Sequence, residues 1–156
     1  LQASYLSSMP NGAGTTLAND TAAVALVNAD SGKSLLCSLA SASKVVTVTT
    51  GMPVGWNVRL VQGAALVGSG ILTINLESGT DTCAVGSFAR CTGKAAAGVV
   101  ATAANDQVVI TGAATNSGHG VGSTVDITCV AANSYLIEID GSMLGAGSVA
   151  YAFNTQ

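Results

Sequence analysis

Apolar and polar residues alternate with a period of two along most of this chain. Val46 and Val48 alternate with Thr47 and Thr49, Trp56, Val58 and Leu60 with Asn57 and Arg59, and Leu72, Ile74 and Leu76 with Thr73 and Asn75. The rhythm returns at Val125, Ile127 and Cys129 against Thr124, Asp126 and Thr128, and at Tyr135, Ile137 and Ile139 against Leu136, Glu138 and Asp140. Successive side chains of a strand point to opposite faces, so each run predicts a half-buried β-strand. Further strands are predicted over Val108 to Thr111 and Ser148 to Phe153. Gly51, Pro53 and Gly55 are turn formers that separate two of the runs. No segment sustains a helical period. The stretch from Gly93 to Ala104 is the one place for a short helix, and its glycines and valines favour a loop. Roughly eight to ten short strands punctuated in this way predict an all-β domain, either two packed antiparallel sheets in a jelly-roll-like sandwich or a closed β-barrel.

The chain has 156 residues and no shift in composition along it, which favours one core. Residues 1–20 read as an extended N-terminal arm and 21–156 as a single β domain. The arm combines the turn formers Pro10, Asn11, Gly12 and Gly14 with apolar Tyr5, Leu6 and Met9, which look suited to docking on a neighbour. Its opening residues carry neither the charged nor the apolar segment of a signal peptide, so none is expected.

Composition turns this fold into a statement about assembly. Hydrophobic residues make up 49% of the chain, but charged residues only 8%, where a soluble domain usually carries about a quarter. The exterior must therefore be largely Ser, Thr, Asn, Gly and Ala, or be covered by other subunits. With a net charge of −3 and five scattered cations there is no basic stripe to follow a phosphate backbone, and nucleic acid is not an expected partner. The longest apolar runs are too short for a membrane-spanning helix. Cys37, Cys83, Cys91 and Cys129 show no metal-like spacing and read as free thiols, with a Cys83–Cys91 staple left open.

Candidate chemistry is sparse. Ser31-Gly32-Lys33-Ser34 imitates the end of a phosphate-binding loop, but the glycine required five residues before Gly32 is Val27. Gly118-His119-Gly120-Val121-Gly122 resembles a dinucleotide loop that ends in Ser123 instead of glycine. His119 is the only histidine; with no ligand pair at metal spacing and no nucleophile elbow it is expected to be a solvated loop residue. Glu138 and Asp140 fall on one face of a strand, about 7 Å apart by strand rise, a spacing compatible with inverting glycoside hydrolysis. A 4% aromatic content offers little for a sugar-cleaving groove, so a solvent-facing strand is the expected reading there. Trp56 follows a turn and opens an apolar face, as a core anchor does. No enzyme activity, cofactor or metal is expected.

The segments GMPVGWNVRLVQ, NDQVVIT and GSTVDITCVAANSYLIEIDGSM together resemble the β-structured modules of tailed-bacteriophage capsid decoration proteins and tail fibres. Pro53, Gly55, Val58 and Leu60 fit a first strand motif, and Gly122, Val125, Ile127, Asn133 and Tyr135 a second in which the aromatic packs at a closing hairpin. The second motif's usual Asp/Asn-Gly turn is Asn133-Ser134 here. The resemblance implies a virion protein on the capsid surface, a decoration or cement protein bound to the major capsid protein and commonly a homotrimer. It implies no catalytic residues. Tyr5, Leu6 and Met9 are the expected capsid or subunit contacts. A tail-fibre or receptor-binding domain, and a secreted carbohydrate-binding or adhesin sandwich, are the alternative readings.

Overall fold

The computed structural model describes residues 15–16, 23–37, 43–66, 70–77, 79–92, 99–102, 104–112, 119–142 and 150–156. These form two stacked sheets. In chain order the strands are β1 Thr15–Thr16, β2 Ala23–Leu26, β3 Lys33–Cys37, β4 Lys44–Val48, β5 Asn57–Gln62, β6 Ile71–Leu76 and β7 Thr82–Cys83. They continue with β8 Phe88–Thr92, β9 Val99–Val100, β10 Gln107–Thr111, β11 Thr124–Ala131, β12 Ser134–Ser142 and β13 Ala150–Asn154. A single 3-10 turn, Asn28–Asp30, stands between β2 and β3. The front sheet runs β1-β3-β5-β11-β12-β8-β9, with β7 also on β12, and the back sheet runs β13-β10-β6-β4-β2.

The expected all-β sandwich is present, and the sheets are not closed into a barrel. Their pairing is mixed instead of antiparallel. The first six strands alternate between front and back sheets, so β1, β3 and β5 lie parallel, as do β2, β4 and β6. A parallel neighbour needs a crossover connection, and here each crossover is a strand of the opposite sheet instead of a helix. Alternating hydrophobicity defines which face of a strand is buried but not which strand lies beside it, and this is why the sequence suggested a jelly roll. The second half closes the winding with antiparallel strands: β10 pairs with β6, β11 with β5, and β11–β12 forms the longest hairpin.

The core lies between the sheets and is made of the residues the period-two pattern marked. Val46, Val48, Val58, Leu60, Leu72, Ile74, Leu76, Val125, Ile127, Ile137 and Ile139 are all buried. Full burial of such side chains contributes about 1.5–3 kcal/mol each before chain entropy is counted. Trp56 anchors this core as expected. It is buried, packs edge-on against Tyr135 with ring centroids 6.4 Å apart, and donates its indole N–H to the Val27 carbonyl at 3.2 Å.

Two turns set this end of the sandwich. The Trp56 amide donates to the Pro53 carbonyl at 2.9 Å across Val54 and Gly55, and Gly55 sits at φ +91°, a conformation that side chains disfavour. At the β11–β12 turn Asn133 takes φ +59°. Asparagine tolerates the left-handed region, so it serves where a glycine is usual. Of the expected arm, Thr15 and Thr16 lie on the front sheet beside Leu35 and Leu36. Tyr5, Leu6 and Met9 lie outside the described residues.

Candidate functional site

The outer face of the front sheet collects Arg59, Arg90, Asp126, Glu138 and Asp140 from a chain with five cations and eight acidic residues in all. Each occupies the outward phase of its strand: Val58, Leu60, Val125, Ile127, Ile137 and Ile139 turn inward, so their neighbours turn outward. Strand register then lines them up. One row crosses the sheet as Ser34, Arg59, Asp126, Glu138, Phe88 and Val100. The next row runs Leu36, Val61, Thr124, Asp140 and Arg90. The rows enclose a shallow depression of about 300 Å³.

Arg59 grips Asp126 with two hydrogen bonds, Nε to Oδ1 at 2.6 Å and a terminal guanidinium nitrogen to Oδ2 at 2.9 Å. That hydrogen bonding raises the Arg59 pKa above its ordinary value. Arg90 donates to Asp140 at 2.8 Å and lies 5.8 Å from the centre of the Phe88 ring. The Arg90–Asp140 pair is exposed, where an ion pair stabilises by about 0–1 kcal/mol, whereas the Arg59–Asp126 pair is partly buried. Glu138 is exposed, directly opposite Asp126, and makes no ion pair among the described residues. The depression thus holds one carboxylate in excess of its guanidinium groups. No cluster of three His, Cys, Asp or Glu side chains able to hold a metal ion occurs among the described residues.

The chain, compared with known proteins, matches no family model, no curated protein and no solved structure.

The other sequence candidates are dispersed. Glu138 and Asp140 do share the outer face of β12, but Asp140 is tied to Arg90. Gly32 forms a tight turn at φ +76°, and the Lys33 ammonium pairs with Asp30 at 2.8 Å, so the phosphate-loop look-alike is a strand entry. His119 corrects the expectation of a solvated loop residue. It is 1% exposed, its Nδ1 lies 3.3 Å from the Tyr151 hydroxyl, and its ring meets that tyrosine edge-on. Burial lowers its pKa to about 4. The flanking glycines made the segment look like a loop. Gly120 and Gly141 instead allow close approach, of the Ser142 carbonyl and of the Tyr151 hydroxyl respectively, in space a side chain would need.

All four cysteines are thiols. Burial pushes Cys37 up to about 11, against the opposing charge of buried Lys44, and pushes Cys83 up to about 12. A thiol that keeps its proton is a poor nucleophile and a poor metal ligand. Asp81 is also buried, accepts from the Thr50 hydroxyl at 3.4 Å, and has its pKa raised by desolvation.

Sequence reading missed Arg59, Asp126, Arg90 and Phe88 as neighbours. Their outward phase was readable, but Arg59 and Asp126 stand on β5 and β11, strands that only the register brings together.

Proposed function

We propose that this chain is a non-enzymatic structural subunit that assembles with copies of itself on a larger particle, and that the particle is a bacteriophage head. The observation that carries this reading is the outer face of the back sheet. Its central row is Ala23, Val45, Thr73, Val109 and Ala152, and the adjoining row is Ala25, Thr47, Asn75, Gln107 and Asn154. Five strands wide, neither row carries a charge. Within the second row the Gln107 amide donates to Asn75 at 3.0 Å and the Asn154 amide to Gln107 at 3.5 Å, so its amides are partly satisfied internally.

A face of small, β-branched and partly hydrogen-bonded amide side chains costs less to desolvate than a charged one and allows close approach of another sheet. Charges blunt such surfaces in monomers, and their absence here favours coverage by a symmetry mate. The head location and the trimer rest on the resemblance of Pro53 to Leu60 and Gly122 to Tyr135 to decoration modules. Tyr5, Leu6 and Met9 are the proposed contacts to the major capsid protein. Four cysteines outside any disulfide count against the secreted adhesin alternative.

Two measurements test the reading. Light scattering of the purified chain is expected to give a closed oligomer, and a monomer at all concentrations would remove the self-assembly claim. Co-sedimentation with phage head shells lacking accessory proteins is expected to show saturable binding that is lost when Tyr5, Leu6 and Met9 are all changed to alanine. Binding to host cells in place of shells would move the chain to the tail-fibre reading.

A further inference from the structure

Two buried polar atoms at the Trp56 end of the sandwich lack a hydrogen-bond partner among the described residues: Oδ2 of Asp81 and the hydroxyl oxygen of Tyr135. Their residues are 1% and 0% exposed. Asp81 ends the loop between β6 and β7, and its other oxygen accepts a long hydrogen bond of 3.4 Å from Thr50. The titratable groups around it include no cation among the described residues. Its own loop supplies Glu77, β11 supplies Cys129 and β12 supplies Tyr135, while Asp106 stands beside neighbouring Cys83. Lys33, Arg59 and Arg90 are ion-paired elsewhere, and Lys44 opens β4 whereas Thr50 follows the far end of that strand. Lys94 lies outside the described residues. A buried carboxylate without a cation is costly, and it sheds that cost by keeping its proton.

We infer that Asp81 is a proton-operated latch, which as a neutral acid holds the β6–β7 loop against Tyr135 and Thr50 and on ionisation swings into water and releases that loop. In the neutral acid the Oδ2 hydroxyl can donate to the Tyr135 oxygen, so one proton satisfies both atoms. The ionised form can accept from the same Tyr135 hydroxyl, but it leaves an uncompensated charge near Glu77. Water is close by: Glu77, Gly79 and Thr80 of the loop are exposed, as is Thr50, so a short movement hydrates the carboxylate. Desolvation raises the Asp81 pKa above its ordinary 3.8; the Tyr135 and Thr50 hydroxyls oppose that rise and the Glu77 charge adds to it. Desolvation also pushes Tyr135 up to about 12, with the charge of Asp81 adding to it, so Tyr135 keeps its proton while Asp81 titrates. The unfolded chain releases the Asp81 proton at lower pH than the folded chain does. The stability contributed by the closed latch is therefore complete below 3.8 and is lost as pH rises through the folded value.

The test uses the full chain with its aspartate carboxyl carbons labelled, followed by NMR from acid to alkaline pH, together with acrylamide quenching of Trp56, the single tryptophan. Asp81 is expected to titrate above 3.8, whereas Asp30, whose partial burial is outweighed by its pairing with Lys33, should titrate below it. Trp56 quenching should increase over the same pH interval as the Asp81 titration, as the loop leaves the Tyr135 ring that packs against the indole. Asp81→Asn keeps the shape without the charge. Its quenching should stay low throughout, and it should melt above the native chain at alkaline pH. His119 is present in both chains, so its own titration cancels from that difference. Tyr135→Phe removes a donor to the ionised form and should move the Asp81 titration further up, a shift that lost packing alone does not produce. An Asp81 titration at or below 3.8 would overturn the proposal, as would a carboxyl that ionises with no change in Trp56 quenching. Melting of Asp81→Asn below the native chain at alkaline pH would do the same. Should that variant not fold, titration and quenching of the native chain decide alone.

Discussion

The two outer faces of this sandwich are built on the same strand geometry and carry opposite chemistry. The front face holds two guanidinium groups and three carboxylates around a shallow depression, whereas the two central rows of the back face carry Ala, Val, Thr, Asn and Gln only. Both faces are free of the core's demands, since the inward phase alone supplies the packing. Charge has therefore been placed on one side by something other than folding. Exposed ion pairs add little to stability, so charge on the front face keeps that surface in water without contributing much to the fold. The back face lacks the hydration that a lone subunit would use to stay apart from its copies.

The largest effect is expected from equalising the faces. Thr73→Lys places a charge at the centre of the back sheet, between Val45 and Val109. A lysine there leaves the core untouched but would be buried unpaired in any interface across this face, costing several kcal/mol of association. Light scattering should show the oligomer reduced to subunits while cooperative melting is retained. An unchanged mass would place the interface elsewhere.

Acid stability separates the interior from both faces. The unfolded chain protonates His119 as pH falls through 6.5, while the folded chain resists protonation until about 4. Protons then favour the unfolded state, so stability should fall by about 3 kcal/mol between those values, as a shift of this size requires. Below pH 4 this contribution stops growing. His119→Phe should flatten the decline in chemical denaturation measured across that range, and an unchanged slope would assign acid sensitivity to surface carboxylates.

A smaller effect is expected at the front face. Arg59→Ala leaves Asp126 and Glu138 opposed without compensation, and should cost about 1 kcal/mol or less at low salt. Added salt should erase most of that difference. A loss of several kcal/mol that persists in salt would mean that Arg59 supports the sheet by packing.

The inward phase of β4, β5, β6, β11 and β12 was legible in the sequence because it needs only local information, whereas β2, β3 and β8, which bury Leu26, Leu35 and Ala89, alternate too briefly to stand out. Val58 and Leu60, or Ile137 and Ile139, announce their burial through their immediate neighbours. Partnership was not legible. Nothing beside Arg59 names Asp126, and nothing in Lys33 to Cys37 announces that its parallel partner is β5. His119 was misread because glycines signal either a loose connection or a tight approach, and only the position of Ser142 and Tyr151 decides between them.

The alternation of early strands between sheets also bears on how the chain is made. Leu35 meets Leu60 and Val46 meets Ile74, each partner arriving one winding later, whereas Val58 must wait for Ile127. Contacts close in sequence form first and cost less loop entropy. During synthesis the first half can wind up rung by rung as it emerges from the ribosome. The second half then acts as a clasp: until the β11–β12 hairpin has emerged, one side of β5 stays open, and that interval is when the nascent chain is most exposed to mispairing.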